Sequence, residues 1–316
     1  MKKILITLIA ITIALSIILM GCTPQNNEGE EIKIATLAGP TGMGMIKLFE
    51  NEEDYDITVY TAPDQISAKI INGEIDVATI PSNLAAIIYN NTNGAIEILS
   101  VNTLGVLYII GENSLTINSI NDLEGKTLYA SGQGATPDFV LSDILTKNDV
   151  NTTVQYRSEH STLASEMISG AKNLAMLPEP FVTMALNGNP DLEIKIAIND
   201  EWRDIYGNDA ALPMSATIVR KAYRQANEDK IQNLISDYKD SVEFVNDDPE
   251  SASDAIAQHG VFANTAVTKA AIPRSQISFI EGANMKNMLE GYFEVLYEAN
   301  PISVGGKKPD VGIYSS

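Results

Sequence analysis

Residues able to hold a small ligand recur in the loops that follow short apolar runs of the sequence. Most are glycines or residues with hydroxyl or amide side chains, and one is a carboxylate. In chain order they are Gly39, Pro40, Thr41, Gly42, Met43, Ser82, Asn83, Asn102, Ser131, Gln133, Gly134, Thr136 and Glu179. Glycine allows the backbone to approach a ligand closely, and hydroxyl and amide side chains both donate and accept hydrogen bonds. The set predicts a site that holds a small molecule by hydrogen bonds, with no metal ion and no cofactor.

Most of these loops also have a purely structural interpretation. Residues 37–43 are compatible with a plain tight turn. Ser82 or Asn83 is compatible with capping of a following helix, and Asn102 with a turn former. For these loops the sequence leaves both interpretations open.

The Gly-x-Gly sequence at residues 132–134 resembles part of a dinucleotide-binding turn. Its context excludes that function, because Pro137 occupies the position of the third glycine and the strand ending at Tyr156 lacks the expected acidic residue. We favour a ligand contacted by Ser131, Gln133 and backbone amides.

Two further side chains have alternative roles. Glu179 lies between Pro178 and Pro180 at the end of an apolar run, where an unpaired charge is costly to bury. Its partner is therefore either the ligand or a nearby Lys or Arg. Trp202, the only tryptophan, either stacks on a flat ligand or packs inside the protein.

The sequence gives little support for catalysis. The two histidines, His160 and His259, have neither metal-ligand spacing nor a nucleophile motif, and both are expected at the surface near helix ends. An extracytoplasmic enzyme would need a pocket with a nucleophile and a base, and the sequence offers no candidates for these two residues. We expect a protein that is not an enzyme.

The N-terminus predicts export and lipidation. Lys2 and Lys3 precede an apolar run at residues 4–20, which ends at Gly21 and Cys22. This pattern is typical of a lipoprotein signal peptide over residues 1–21, and lipidation explains why the only cysteine is unpaired. Residues 22–31 are then a polar tether, and the protein is anchored by Cys22 on the extracytoplasmic face of the cell membrane. The alternative is an uncleaved membrane anchor.

The charge of the chain excludes one class of partner. There are 41 acidic and 21 basic residues, for a net charge of −20. Nucleic-acid binding needs stripes of Lys and Arg, and an anionic lipid surface would repel this domain. We interpret the acidity as a solvated surface.

The order of apolar runs predicts an α/β protein. Strand-length runs are expected at residues 32–37, 57–60, 75–79, 96–101, 106–110, 127–130, 153–156, 175–177, 194–198 and 216–219. Helices are expected at residues 43–50, 63–72, 84–91, 137–148, 162–169, 181–187, 228–245, 250–258, 264–271 and 285–298, and the tail from residue 302 as an extended strap. Thr136 is predicted to cap its helix ahead of Pro137. Repeated β-α-β order favours doubly wound, mostly parallel sheets.

Four segments resemble the solute-binding proteins of the nitrate, sulfonate and thiamine-precursor uptake family. They are residues 72–78 (NGEIDVA), 122–126 (DLEGK), 177–181 (LPEPF) and 300–307 (NPISVGGK). The resemblance covers nearly all of the mature chain. It implies a two-lobed type II periplasmic-binding-protein fold with two hinge crossings.

On this basis we expect two lobes. The first comprises residues 32–103 and 212–316, and the second comprises residues 104–211. The resemblance also implies a monomer that captures a small molecule between the lobes and delivers it to the permease and ATPase subunits of an ABC importer.

The predicted cleft loops contain no Arg or Lys. This favours a neutral or amine-bearing ligand, such as the pyrimidine precursor of thiamine. The alternatives are a binding protein for a sulfonate or nitrate, and a surface sensor or scaffold without a transport role.

Overall fold

The computed structural model describes residues 31–207 and 210–315. The predicted signal peptide, the lipidation site at Cys22 and nearly all of the tether lie outside the described residues. Within the described ranges, none of the helices combines the length and apolar character needed to span a membrane.

Two sheets organise the described chain, in agreement with the predicted α/β class and two-lobed arrangement. In chain order the strands are β1 (Ile32–Leu37), β2 (Tyr55–Tyr60), β3 (Val77–Pro81), β4 (Ile96–Leu104), β5 (Leu107–Glu112), β6 (Thr127–Ser131), β7 (Thr153–Arg157), β8 (Leu174–Pro178), β9 (Leu192–Ala197), β10 (Pro213–Arg220) and β11 (Ile277–Ile280). The first sheet has the order β11-β4-β10-β3-β1-β2 and the second the order β7-β6-β8-β5-β9.

Both sheets are mixed, whereas the sequence predicted mostly parallel ones. β1 is parallel to β2 and β3, and β6 is parallel to β7 and β8, as β-α-β connections require. β5 is antiparallel to β8 and β9, and β10 is antiparallel to β3 and β4. β5 and β10 are the strands that the chain enters after passing between the sheets, so they enter in the opposite direction.

The two passages between the sheets lie side by side. The chain leaves β4 at Leu104 and enters β5 at Leu107, and the amide of Gly105 donates to the carbonyl oxygen of Leu212 at 3.0 Å. A Cβ atom on Gly105 would lie 2.2 Å from Cβ of Asn199, so only glycine fits here. The lobe boundaries given above stay a prediction.

The helices cover the faces of both sheets. They are α1 (Pro40–Met43), α2 (Pro63–Asn72), α3 (Ser82–Asn91), α4 (Thr136–Lys147), α5 (His160–Ile168), α6 (Phe181–Gly188), α7 (Ile198–Tyr206), α8 (Lys221–Ala226), α9 (Glu228–Asp247), α10 (Pro249–Gln258), α11 (Thr265–Ala271) and α12 (Gly282–Ala299). Short 3₁₀ helices lie at Ile46–Glu50, Ile120–Leu123, Ile272–Arg274, Pro301–Val304 and Val311–Ile313.

Three local predictions are corrected by the structure. The helix expected at residues 43–50 is divided into α1 and the 3₁₀ helix that follows it. The C-terminal tail is not an extended strap, because it contains two 3₁₀ turns and packs on α3. Ala135 is the N-cap residue of α4, and Thr136 lies one position later, inside the helix.

A continuous apolar core joins the two sheets. It includes Ile98 and Ile218 of the first sheet, Leu104 at the passage, and Ile109 and Met176 of the second sheet. Because this core passes through the region where the chain crosses, it holds the strand ends of both sheets in a defined position.

Candidate functional site

The loop after β1 is held against the first sheet by Asn102. This buried side chain donates to the carbonyl oxygen of Thr41 at 3.0 Å and to the hydroxyl of Tyr238 at 2.9 Å. It also accepts a hydrogen bond from Oγ of Ser215 at 2.6 Å. Both amide protons and the amide oxygen are therefore engaged within the protein, and Asn102 positions the loop.

Residues 39–43 form a closely packed turn. Gly39 has a φ of 88° and donates from its amide to the carbonyl oxygen of Val261 at 3.0 Å. A Cβ on Gly42 would lie 2.5 Å from the carbonyl oxygen of Leu37, and the side chain of Met43 is fully buried in the core. Within this turn, Pro40 and Thr41 retain partial exposure.

The loops after β3 and β6 meet across the two sheets. Thr136 at the start of α4 donates to Oδ1 of Asn83 in α3 at 3.1 Å, and its hydroxyl lies 3.0 Å from the hydroxyl of Tyr292. Burial raises the pKa of Tyr292, so its hydroxyl stays protonated. Oγ of Ser82 is buried, and no described residue is its hydrogen-bond partner. Neither Ser82 nor Thr136 acts as a helix cap.

Ser131 has a partner that the sequence did not reveal. Its Oγ lies 2.6 Å from Nδ1 of His160, which stands at the start of α5. His160 is partly buried, with the ring of Phe181 at 5.4 Å, and burial lowers its pKa although Glu159 acts in the opposite direction. The neutral imidazole and the hydroxyl form a polar pair at the ends of β6 and β7.

The pair also has the elements of a nucleophile and a base. A Ser-His-Asp arrangement would add a carboxylate hydrogen-bonded to the second ring nitrogen. Within residues 31–207 and 210–315, no carboxylate accepts a hydrogen bond from the ring of His160, whose hydrogen-bond partner is Ser131. Gln133 and Gly134 are exposed beside the pair, and the amide of Gly134 donates to Oδ2 of Asp138 at 2.8 Å.

Glu179 pairs with an arginine of the protein. Nε of Arg274 lies 2.5 Å from Oε1 of Glu179, and the amide of Thr183 donates to Oε2 at 3.1 Å. Arg274 also donates to the hydroxyl of Thr183, and its carbonyl oxygen accepts from the hydroxyl of Tyr108 at 2.8 Å. Glu179 is only 2% exposed. Arg274 lies outside the predicted cleft loops and is the basic partner that the sequence allowed for Glu179.

Trp202 is packed inside the protein. Its ring centroid lies 4.5 Å from that of Tyr206 and 6.2 Å from that of Tyr292, and the residue is 2% exposed. Within residues 31–207 and 210–315, no cluster of His, Cys, Asp and Glu side chains is arranged to hold a metal ion.

Comparison with known proteins agrees with this architecture. A family model described as menaquinone biosynthesis matches residues 40–290. The fold is similar to that of an ABC transporter protein from Parabacteroides distasonis, with a TM-score of 0.78 and 23% identity over 90% of this chain and 99% of that one.

Two further solved structures share the fold. The periplasmic aliphatic sulphonate binding protein SsuA from Escherichia coli has a TM-score of 0.70 and 14% identity over 89% of this chain and 96% of its own. The ligand-binding component of an ABC-type import system from Staphylococcus aureus, solved with zinc bound, has a TM-score of 0.64 and 15% identity over 91% and 97%. No curated protein matches the sequence significantly. The two-lobed binding-protein fold that the sequence motifs indicated is confirmed.

Proposed function

The chain belongs to the family described as menaquinone biosynthesis, and from its fold and site we propose that it captures a small molecule between its two lobes and delivers it to an ABC importer. The observation that carries the proposal is the hydrogen bond of 3.1 Å between Thr136 of α4 and Asn83 of α3. It joins strand-end loops of different sheets, which is where open α/β folds bind ligands.

In this proposal the bound ligand stabilises contacts across the lobes. A ligand shifts such an equilibrium only by as much as its affinity differs between the two arrangements. The proposed contacts are Thr41, Ser82, Ser131 and Gln133. Asn102 and Met43 hold the loop after β1 in place, and Glu179 holds Arg274.

The available groups favour a neutral or amine-bearing ligand. Hydroxyls, amides and the neutral ring of His160 offer hydrogen bonds, and Arg274 is already paired with Glu179. With a net charge of −20 the protein also repels free anions at long range. An aminopyrimidine precursor of thiamine fits this chemistry better than a sulfonate or nitrate, which remain the alternative ligands.

The partners follow from the same proposal. Permease and ATPase subunits would be separate chains, and a lipid on Cys22 would hold the monomer at the extracytoplasmic face of the membrane. A sensor or scaffold without a transport role is distinguished by whether genes for a permease and an ATPase lie beside this one.

The test is a thermal-shift screen with a thiamine pyrimidine precursor, an alkanesulfonate, nitrate and a panel of neutral metabolites. A ligand at a hundredfold excess over its dissociation constant stabilises by about 2.7 kcal/mol. We expect stabilisation by one neutral or amine-bearing compound and none by nitrate. If only the alkanesulfonate or nitrate stabilises the protein, the ligand is one of these anions and not a neutral or amine-bearing compound.

A second candidate is an enzyme, since Ser131 and His160 form a hydrogen-bonded pair and the family description names a biosynthesis. Incubation of the protein with the compound identified in the screen, followed by mass spectrometry, separates the two functions. A binding protein returns the compound unchanged. Conversion that is lost in Ser131→Ala would establish the enzyme instead.

A further inference from the structure

A cavity of about 680 Å³ borders Tyr292, whose hydroxyl lies 3.0 Å from that of Thr136 in the strand-end site. Its walls come from α7 and the segment after it (Trp202, Tyr206, Ala210), from β11 (Ile280) and from α12. The α12 contribution is Asn284, Asn287, Met288, Gly291 and Tyr292. Trp202, for which the sequence allowed stacking on a flat ligand, is part of the cavity wall.

The volume and the lining are those of a site for a small organic molecule. Such sites occupy about 300 to 1,000 Å³ and combine apolar walls with a few polar groups. Here the described lining has three aromatic side chains and two carboxamides, and it contains no charged residue. A ligand with a full charge would find no counter-charge in this lining.

The helical face that borders the cavity is unusual for a packed helix. Asn284, Asn287, Met288 and Gly291 follow the spacing of one face of α12. Both asparagines and Gly291 are exposed to the open space. A glycine inside a helix costs about 1 kcal/mol relative to alanine, and here it keeps the wall of the cavity open.

We propose that this cavity is a second binding site, for an uncharged planar heteroaromatic ring that carries an amide-like edge. The ring packs against the partly exposed side chains of Tyr206 and Met288, beside the buried rings of Trp202 and Tyr292, and the carboxamides of Asn284 and Asn287 pair with its polar edge. Because α7 follows the second sheet and β11 belongs to the first, an occupant contacts elements attached to both sheets. Occupancy therefore couples to movement of the lobes.

The sole tryptophan makes the site directly observable. Trp202 is the only tryptophan in the chain and lines the cavity, so a change of tryptophan fluorescence reports on the surroundings of its ring. The probe is nicotinamide, which is neutral and carries a carboxamide. Nicotinate, which has the same ring and a carboxylate, is the matched control. We expect a saturable change of fluorescence with nicotinamide and none with nicotinate.

Variants at exposed positions identify the cavity as the origin of the signal. A Cβ on Gly291 would meet no atom within 4 Å, so Gly291→Phe fills the space and should abolish the saturable change, whereas Gly291→Ala should keep it. Asn287→Leu, on the exposed surface of α12, should weaken binding about tenfold, as expected for the loss of one hydrogen bond.

Any one of three results would overturn the second site. The first is an equal response to nicotinamide and nicotinate, and the second is a purely linear quenching. The third is an unchanged response in both Gly291→Phe and Asn287→Leu. The function proposed for the strand-end loops is tested separately by the thermal-shift screen, so its failure and the failure of the second site are distinguishable.

Discussion

Among single residues, Glu179 is the one whose two alternatives the structure separates most clearly. The sequence required a partner for this carboxylate and allowed either a ligand or a basic residue. Arg274 provides the partner from a position 95 residues away. Only the packing of the 3₁₀ helix Ile272–Arg274 beside α6 brings it there, so no local sequence pattern could have identified it.

The ion pair predicts an asymmetric response to substitution. Arg274→Met leaves Glu179 buried and without its cation, which should lower the free energy of unfolding by about 3 kcal/mol. Glu179→Gln keeps a neutral acceptor and should cost about 1 kcal/mol. Adding Glu179→Gln to Arg274→Met should restore part of the loss, as measured by urea denaturation in a double-mutant cycle.

The exposed pair between Lys269 and Glu250 provides the control, because both side chains are at least half exposed. Lys269→Met should change stability by less than about 1 kcal/mol. Additive effects of the two substitutions at Glu179 and Arg274 would show that the pair has no energetic coupling.

His160 predicts a dependence of stability on pH. Its pKa in the folded protein is lowered, chiefly by burial, so the unfolded chain takes up a proton first as the pH falls below about 6.5. Stability from this residue is present above that pH and is lost as the pH falls toward 5, with a slope of at most about 1.4 kcal/mol per pH unit.

The measurement is urea denaturation between pH 7 and pH 5. His160→Asn should flatten the curve. The interpretation fails if His160→Asn retains the full slope.

At the scale of secondary structure, the sequence predicted which segments form strands better than it predicted their directions. All ten predicted strands overlap strands of the structure. The additional strand β11 has only four residues and no alternating pattern. Directions could not be predicted for β5 and β10, because they depend on where the chain crosses between sheets.

α7 was missed for a different reason. The predicted strand was extended to Ile198, whereas the strand ends at Ala197 and the helix begins at Ile198. Apolar residues at positions 198, 202 and 205 have helical spacing and could have identified it. Since α7 carries Trp202, this omission also left the cavity beside it undetected.

The turn after β1 should not accommodate one additional methyl group. In Gly42→Ala the new Cβ would lie 2.5 Å from the carbonyl oxygen of Leu37 and 2.8 Å from Oγ1 of Thr36. We expect a loss of stability of about 1 to 3 kcal/mol from overpacking and weaker ligand binding. Gly291→Ala is the matched control and should stabilise α12 by up to about 1 kcal/mol. Equal stability of Gly42→Ala and the parent, by urea denaturation, would contradict the packing described for this turn.

For the whole molecule, the lipoprotein signal peptide predicts membrane attachment through Cys22. Cys22→Ser should move the protein from the membrane fraction to the soluble fraction, because the acylated cysteine is lost. Its melting temperature should not change, since the chain contains no second cysteine with which to form a disulfide. A variant that stays in the membrane fraction would favour the uncleaved anchor.

Capture of a ligand between the two lobes is tested most directly by measuring a distance across them. A chain that starts at residue 23 lacks cysteine, so spin labels can be placed at Ile71→Cys in α2 and Lys147→Cys in α4, both exposed positions on different lobes. The compound found in the thermal screen is added at a saturating concentration. Pulsed electron-electron double resonance should then show a shorter and narrower distribution of distances between the labels. Ser131→Ala, which removes a proposed contact, should need more ligand to reach the same distribution. An identical distribution with and without saturating ligand would contradict capture by closure of the lobes.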